Sequence, residues 1–127
     1  MTLRCLIVDD SRAVRTAARE LLEGQGIAVV GLAATGEQAL RLAAELEPDV
    51  ILVDIDLGAE SGLDLARRMV DTVDRAAMRA ILISTHEEAD FASLIEASPA
   101  IGFVSKSDLS ATAIHRLLAG AHDKGRD

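Results

Sequence analysis

Aromatic side chains are nearly missing from this chain: Phe91 and Phe103 are the only two, with no Trp and no Tyr. A core must therefore be filled by Ala, Leu, Val and Ile, and with 50% of residues apolar there are enough of them. Cysteine occurs once, as Cys5, which excludes an internal disulfide and suits a reducing cytosol. Positive charge is also in deficit. Thirteen Lys and Arg stand against 21 Asp and Glu, a formal net charge of −8. That balance argues against a nucleic-acid surface built on clustered cations and against adhesion to anionic membranes. No apolar run is long enough to span a bilayer, and the first residues reach Asp9 and Asp10 too soon for a signal peptide. The expectation is a soluble, acidic, cytoplasmic domain. At 127 residues it is expected to be a single one, burying about two-thirds of its unfolded surface.

What is present is organised around Val50–Gly58, Val-Ile-Leu-Val-Asp-Ile-Asp-Leu-Gly. A continuous apolar run ending in Asp54 reads as a central parallel strand buried on both faces. Four further short apolar runs, at Leu3–Val8, Ile27–Ala33, Ala80–Ile83 and Ile101–Val104, read the same way. Helical periodicity fills the intervals. Val14, Ala17, Ala18, Leu21 and Leu22 mark the first helix, with Arg12, Arg15, Arg19, Glu20 and Glu23 on its other face. Thr35 and Gln38 form a capping box for the second, which Pro48 stops. Ser61 caps a third that turns Leu63, Ala66, Met69, Val70 and Val73 inward. A fourth covers roughly Glu87–Ala97 with Phe91, Leu94 and Ile95 as its stripe, and a fifth starts near Asp108 and carries Ala113, Ile114, Leu117 and Leu118. Cys5 reads as core packing and His115 as a surface residue. Strict alternation of five strands and five helices predicts an α/β, doubly wound three-layer sandwich. The flavodoxin-like strand order 2-1-3-4-5 is the preferred one for its five-stranded parallel sheet.

In that order the first and third strands are neighbours at the topological switch point, so Asp9, Asp10 and Asp54 meet in one crevice at the carboxyl edge of the sheet. Three carboxylates this close repel, and the conflict is resolved by a proton or by a cation. Mg²⁺ suits such a set, with the Asp56 backbone carbonyl available to complete the shell. The fourth and fifth strands bring the Ser84 hydroxyl and the Lys106 ammonium to the same edge. Taken singly each piece is weak: a Lys or Ser at a strand end is ordinarily solvated or part of a turn, and an acidic pair often only caps a helix. Together they supply a carboxylate nucleophile, a metal, a hydroxyl and an ammonium, which is what phosphoryl transfer to an aspartate requires.

The chain resembles the receiver domains of two-component response regulators over essentially all of Leu3–Gly120. The residues that carry the resemblance are Leu6-Ile7-Val8-Asp9-Asp10-Ser11, Val53-Asp54-Ile55-Asp56-Leu57, Leu82-Ile83-Ser84-Thr85 and Gly102-Phe103-Val104-Ser105-Lys106. The resemblance implies a receiver domain over residues 1–121 followed by a polar tail, 122–127. It implies that Asp54 takes a phosphoryl group from a histidine kinase or phosphotransfer protein. Asp10 would ligate Mg²⁺ directly, Asp9 through water, and the Asp56 carbonyl would complete the set. Ser84 would be the switch hydroxyl, Lys106 the phosphate-pairing cation, and Phe103 the aromatic that follows Ser84 inward. The face made by the fourth helix, fifth strand and fifth helix would then be read by a protein partner, an output domain or a second phosphorylated copy.

Three departures from the family pattern stand out. Gly58 occupies the loop where relatives often have Pro, so that loop is expected to be more flexible. Ser107 follows Lys106 where a cis proline is common, and a trans bond is expected because a cis bond to a non-proline residue costs about 2.5–4 kcal/mol. This variant occurs in receivers that often precede helix-turn-helix output domains. Finally, Asp56 and His86 place ionisable groups near the acceptor, where they bear on the rate of phosphate loss.

Two other classes compete. Asp54-Ile55-Asp56 also looks like the Asp-x-Asp nucleophile motif of haloacid dehalogenase-type phosphatases, although that motif normally follows the first strand of a longer chain. A flavin module of the same architecture would need phosphate donors where this chain has Asp-Asp-Ser. Both a stand-alone receiver and a piece of a longer regulator fit the sequence.

Overall fold

Strands β1 (Arg4–Val8), β2 (Ala28–Ala33) and β3 (Val50–Asp54) are the apolar runs expected from composition, each displaced by no more than a residue or so. A computed structural model of the chain describes residues 2–58, 60–72, 79–85 and 92–124. After β3 come two unforeseen two-residue strands, β4 (Asp56–Leu57) and β5 (Glu60–Ser61), which pair antiparallel as a small hairpin. Strands β6 (Arg79–Ser84) and β7 (Gly102–Ser105) complete the main sheet. Its order is β2-β1-β3-β6-β7 and each described pairing is parallel. Setting the hairpin aside, this is the expected 2-1-3-4-5.

The helices are α1 (Arg12–Gly24), α2 (Gly36–Leu46), α3 (Gly62–Thr72), α4 (Ala92–Ala97) and α5 (Ala111–Lys124). Period-two alternation in the strands divides the core between the two faces of the sheet. Leu6, Val8, Ile51, Val53 and Leu82 meet Ala39 and Ala43 of α2, Ala66 and Met69 of α3, and Ile95 of α4. Cys5, Ile7, Val50, Leu52, Ile81 and Ile83 meet Ala18 and Leu22 of α1 and Ile114 of α5. Cys5 is therefore a packing residue, and burial pushes its thiol up to about 12. His115 is exposed.

Local signals set most helix starts. Ser11 Oγ accepts from Val14 N at 3.3 Å, Thr35 Oγ1 from Gln38 N at 3.2 Å and Ser61 Oγ from Asp64 N at 3.3 Å, each satisfying a first-turn N–H that has no helical partner. The Gln38 amide oxygen of the capping box reaches back to Ala34 N at 2.8 Å. Before Pro48, α2 closes on Glu47 in the left-handed conformation, φ 48°.

Three expectations are corrected. Ala17 and Leu21 face solvent, Leu21 being 41% exposed, because α1 buries a narrow stripe of Ala18 and Leu22. The last helix begins at Ala111, capped by Ser110 Oγ on Ala113 N at 3.1 Å, whereas Lys106–Asp108 form a 3₁₀ turn. That helix also runs to Lys124, into the stretch read as a tail. Val73, His86 and Phe91, with the first half of the expected fourth helix, lie outside the described residues, as do the side chains of Val70 and Leu94.

Candidate functional site

Parallel strands with right-handed crossovers put all their carboxyl ends on one rim. Asp9 and Asp10 leave β1 there, Asp54 ends β3, Ser84 ends β6, and Lys106 follows β7. Val8 lies in register with Val53, and Ser84 with Ser105, so the five residues converge although up to 97 positions separate them. Asp9, Asp54 and Ser84 are buried, at 0%, 4% and 2% exposure, while Asp10 faces solvent. Oxygens of Asp9, Asp10 and Asp54 lie within 4.8 Å of one another.

Several oxygens of this pocket have directed partners. Asp9 Oδ1 accepts from Ser11 N at 2.9 Å, which starts α1. Its carbonyl accepts from Arg15 Nη1 at 2.7 Å. Arg15 is thus half-buried against the back of the pocket rather than on the solvated outer face of the helix. Asp54 Oδ1 accepts from Asp56 N at 3.1 Å and Oδ2 from Lys106 Nζ at 3.1 Å. The same ammonium lies 2.7 Å from Asp9 Oδ2. Apart from this short ion pair, Asp9 Oδ2 has no polar partner among the described residues, which leaves a lone pair for a second cation.

Lys106 therefore bridges two buried carboxylates, and both Lys106 and Asp54 are perturbed. Burial raises the Asp54 pKa, the Lys106 and Asp56 hydrogen bonds lower it, the Asp9 charge raises it again, and the net displacement is upward. Burial lowers the Lys106 pKa, but hydrogen bonds and charge from Asp9 and Asp54 outweigh it, so the ammonium is held above its ordinary value. The expected conflict among the carboxylates is answered in part by Lys106. A hard divalent ion suits the remainder, since three carboxylates with an open, solvent-facing side match the oxygen-rich, partly hydrated shells such ions prefer.

The Asp56 side chain does not enter the pocket. It is exposed and its Oδ1 accepts from Gly58 N at 3.2 Å, shaping a turn in which Gly58 takes φ +73°. The β4–β5 hairpin flanks this turn, and Glu60 Oε2 accepts from Gly36 N at 2.9 Å. The Lys106–Ser107 bond is trans, as are all the described peptide bonds, and Ser107 Oγ pairs with Ser105 Oγ at 3.0 Å.

Sequence reasoning missed three contributors. Gly62 is the sharpest: its N donates to the Ile55 carbonyl at 2.8 Å, and a Cβ there would overlap the backbone carbonyl of Asp54. Nothing in the local pattern marks a glycine that must lie against a strand eight residues back. Arg15 and Glu60 are long polar side chains whose partners are set by tertiary structure. Phe103 is half-buried and packs with the α2–α3–α4 side of the core.

Comparison with known proteins agrees with this geometry. Residues 5–119 match the model of the response regulator receiver domain. The response regulator GacA of Pseudomonas aeruginosa is 32% identical over 122 residues, covering 93% of this chain and 56% of that protein. A protein-glutamate methylesterase/protein-glutamine glutaminase of Anaeromyxobacter dehalogenans is 37% identical over 108 residues, 84% of this chain and 30% of that one. Among solved structures, a two-component response regulator of the LuxR family from Aurantimonas superposes with a TM-score of 0.83 at 32% identity, over 94% of this chain and 87% of that one. The response regulator domain of Thermotoga maritima CheB gives 0.72 at 28%, over 97% and 93%. The chain spans about half the length of the GacA relatives it matches. Fold, convergence of the acidic pocket and Lys106, and sequence similarity agree: the chain belongs to the response regulator receiver domain family.

Proposed function

We propose that Asp54 is the phospho-acceptor of a two-component relay. The observation that carries this reading is the Lys106 ammonium set between Asp9 and Asp54 at the sheet's carboxyl rim. A bond from phosphorus to a kinase or phosphotransfer-protein imidazole nitrogen breaks as one from phosphorus to an Asp54 carboxylate oxygen forms. Lys106 pairs with the phosphoryl oxygens, and the Ser84 hydroxyl donates to one of them. Asp9, Asp10, Asp54 and the Asp56 carbonyl would hold Mg²⁺, Asp10 directly and Asp9 through water. The ion supplies positive charge to the transferring oxygens. This chemistry is signalling, without turnover of a separate substrate.

Phosphate adds roughly −1.5 to −2 charges to the pocket. Inverting a 1:99 population requires about 5.5 kcal/mol of differential binding, whereas one charge-assisted hydrogen bond supplies about 1.5–3 kcal/mol. Switching by Ser84 alone is therefore partial, and docking of a partner, an output domain or a second copy completes it. Phe103 relays the change to the face of α4, β7 and α5. A groove of about 350 Å³ already opens there, between Phe103, Ser105, Asp108, Arg116 and Leu117. A cytoplasmic location fits one buried, reduced cysteine, and no helix among the described residues is long and apolar enough to cross a membrane. The domain has no role for direct nucleic-acid binding.

The phosphatase reading based on Asp54 and Asp56 is not favoured, since residues 5–119 match the response regulator receiver domain and the Asp56 carboxylate is committed to Gly58. Incubation with Mg²⁺ and acetyl phosphate, followed by intact-mass measurement, tests the proposal. One phosphate is expected on the parent protein and none on Asp54→Asn; equal labelling of both overturns it.

A further inference from the structure

Away from the acidic pocket, Arg12, Arg15 and Arg19 follow one another on α1 at intervals of three and four residues, which lines them up along one side of the helix. They border a groove of about 440 Å³ beside the edge strand β2, with Thr16, Leu32 and Gln38 among its other walls. The described lining includes no carboxylate, in a chain where carboxylates outnumber Lys and Arg by 21 to 13. Among the described residues Arg12 makes no ion pair, and the Arg19–Glu23 pair is long, at 3.9 Å, and half exposed. Of the three arginines that border the groove only Arg19 has a carboxylate partner among the described residues, and an anion in the groove would offset their like charge.

Arg15 is already immobilised by its bond to the Asp9 carbonyl, so less conformational entropy is lost when a ligand arrives. Guanidinium forks match the oxygens of phosphate in pairs. Thr16 and Gln38 add polar groups, and Leu32 offers an apolar surface. The volume lies in the range of small-molecule sites, roughly 300–1,000 Å³. We propose that this groove binds a small diphosphate-bearing anion, independently of any chemistry at Asp54.

Inorganic pyrophosphate titrated into the ¹⁵N-labelled protein at low salt, with a chelator to exclude metal, tests this by NMR. Saturable shifts are expected at the amides of Thr16, Leu32, Ala34 and Gln38. Arg12→Ala and Arg19→Ala should each weaken binding about tenfold, the effect of one lost charge-assisted contact. Both residues are exposed, so unchanged melting temperatures confirm that the variants fold. Arg41→Ala, exposed on α2 outside the groove, should bind like the parent. Tighter binding of ADP than of pyrophosphate supports the site with a nucleotide as its source, and equal binding supports it with free diphosphate. Shifts confined to the surroundings of Asp54 and Lys106, no saturation, or equal weakening by Arg41→Ala overturns the proposal. Binding of an acidic peptide but not of pyrophosphate overturns it in favour of a protein partner.

Discussion

Replacing Lys106 with Met keeps much of the side chain's bulk and removes its charge. Asp9 is then left fully buried, with Asp54 close beside it and no cation to offset either. Removing one partner of a buried ion pair costs about 3–5 kcal/mol. The Lys106 side chain is 16% exposed and the Asp10 side of the pocket is open to water, so the lower end, about 3 kcal/mol, applies. For a domain of this size that corresponds to a fall in Tm of roughly 10 °C. The assay is thermal melting followed by circular dichroism at neutral pH with a chelator present. Adding Asp54→Asn to Lys106→Met removes one of the two opposed charges and should recover about half of the loss, a coupling that a double-mutant cycle isolates. Added Mg²⁺ should raise the Tm of the single variant more than that of the double one. A Lys106→Met protein melting within about 2 °C of the parent would refute the view that the ammonium neutralises the pocket.

Asp54→Asn alone should melt above the parent at neutral pH. Burial raises the Asp54 pKa, so this group favours the folded state below its ordinary 3.8 and that contribution is lost as pH rises through the folded value. The gap should close as acid protonates the parent, and an Asn variant that melts lower at pH 7 contradicts the assignment. Lys106 has the same sign at the other end of the scale: its contribution is complete below 10.5 and falls away as pH rises through the elevated folded pKa. Gly62→Ala should displace the backbone at Asp54 and lower both the Tm and the extent of labelling by acetyl phosphate; full labelling with parental stability would show that the crowding is relieved without moving Asp54. Phe103→Ala should leave labelling intact and abolish phosphate-dependent association with a partner or a second copy, measured by light scattering or pull-down, and unchanged association removes Phe103 from the relay.

The sheet and most of its acidic pocket were legible because parallel strands buried on both faces leave continuous apolar runs, and the residue after each run is automatically at one rim. Val50–Val53 followed by Asp54 is the clearest case. What could not be read depends on where two elements touch. The periodicity of α1 marks five apolar positions, but contact with the sheet covers only the stripe through Ala18 and Leu22. Asp108 and Ser110 are both acceptable caps, and the 3₁₀ turn at Lys106–Asp108 makes Ser110 the one used. The Glu60–Gly36 bond links residues 24 positions apart, a pairing that no local pattern announces.

The direction of α1 has a practical consequence. It leaves the reactive rim at Ser11 and, at 1.5 Å per residue, ends about 20 Å away at Gly24. A side chain grafted at Gly24 meets no atom within 4 Å. Because the natural thiol is sealed in the interior, Gly24→Cys would offer maleimide dyes a single accessible attachment point, so fluorescence could test for the proposed encounter with a kinase without chemical intrusion on the aspartates.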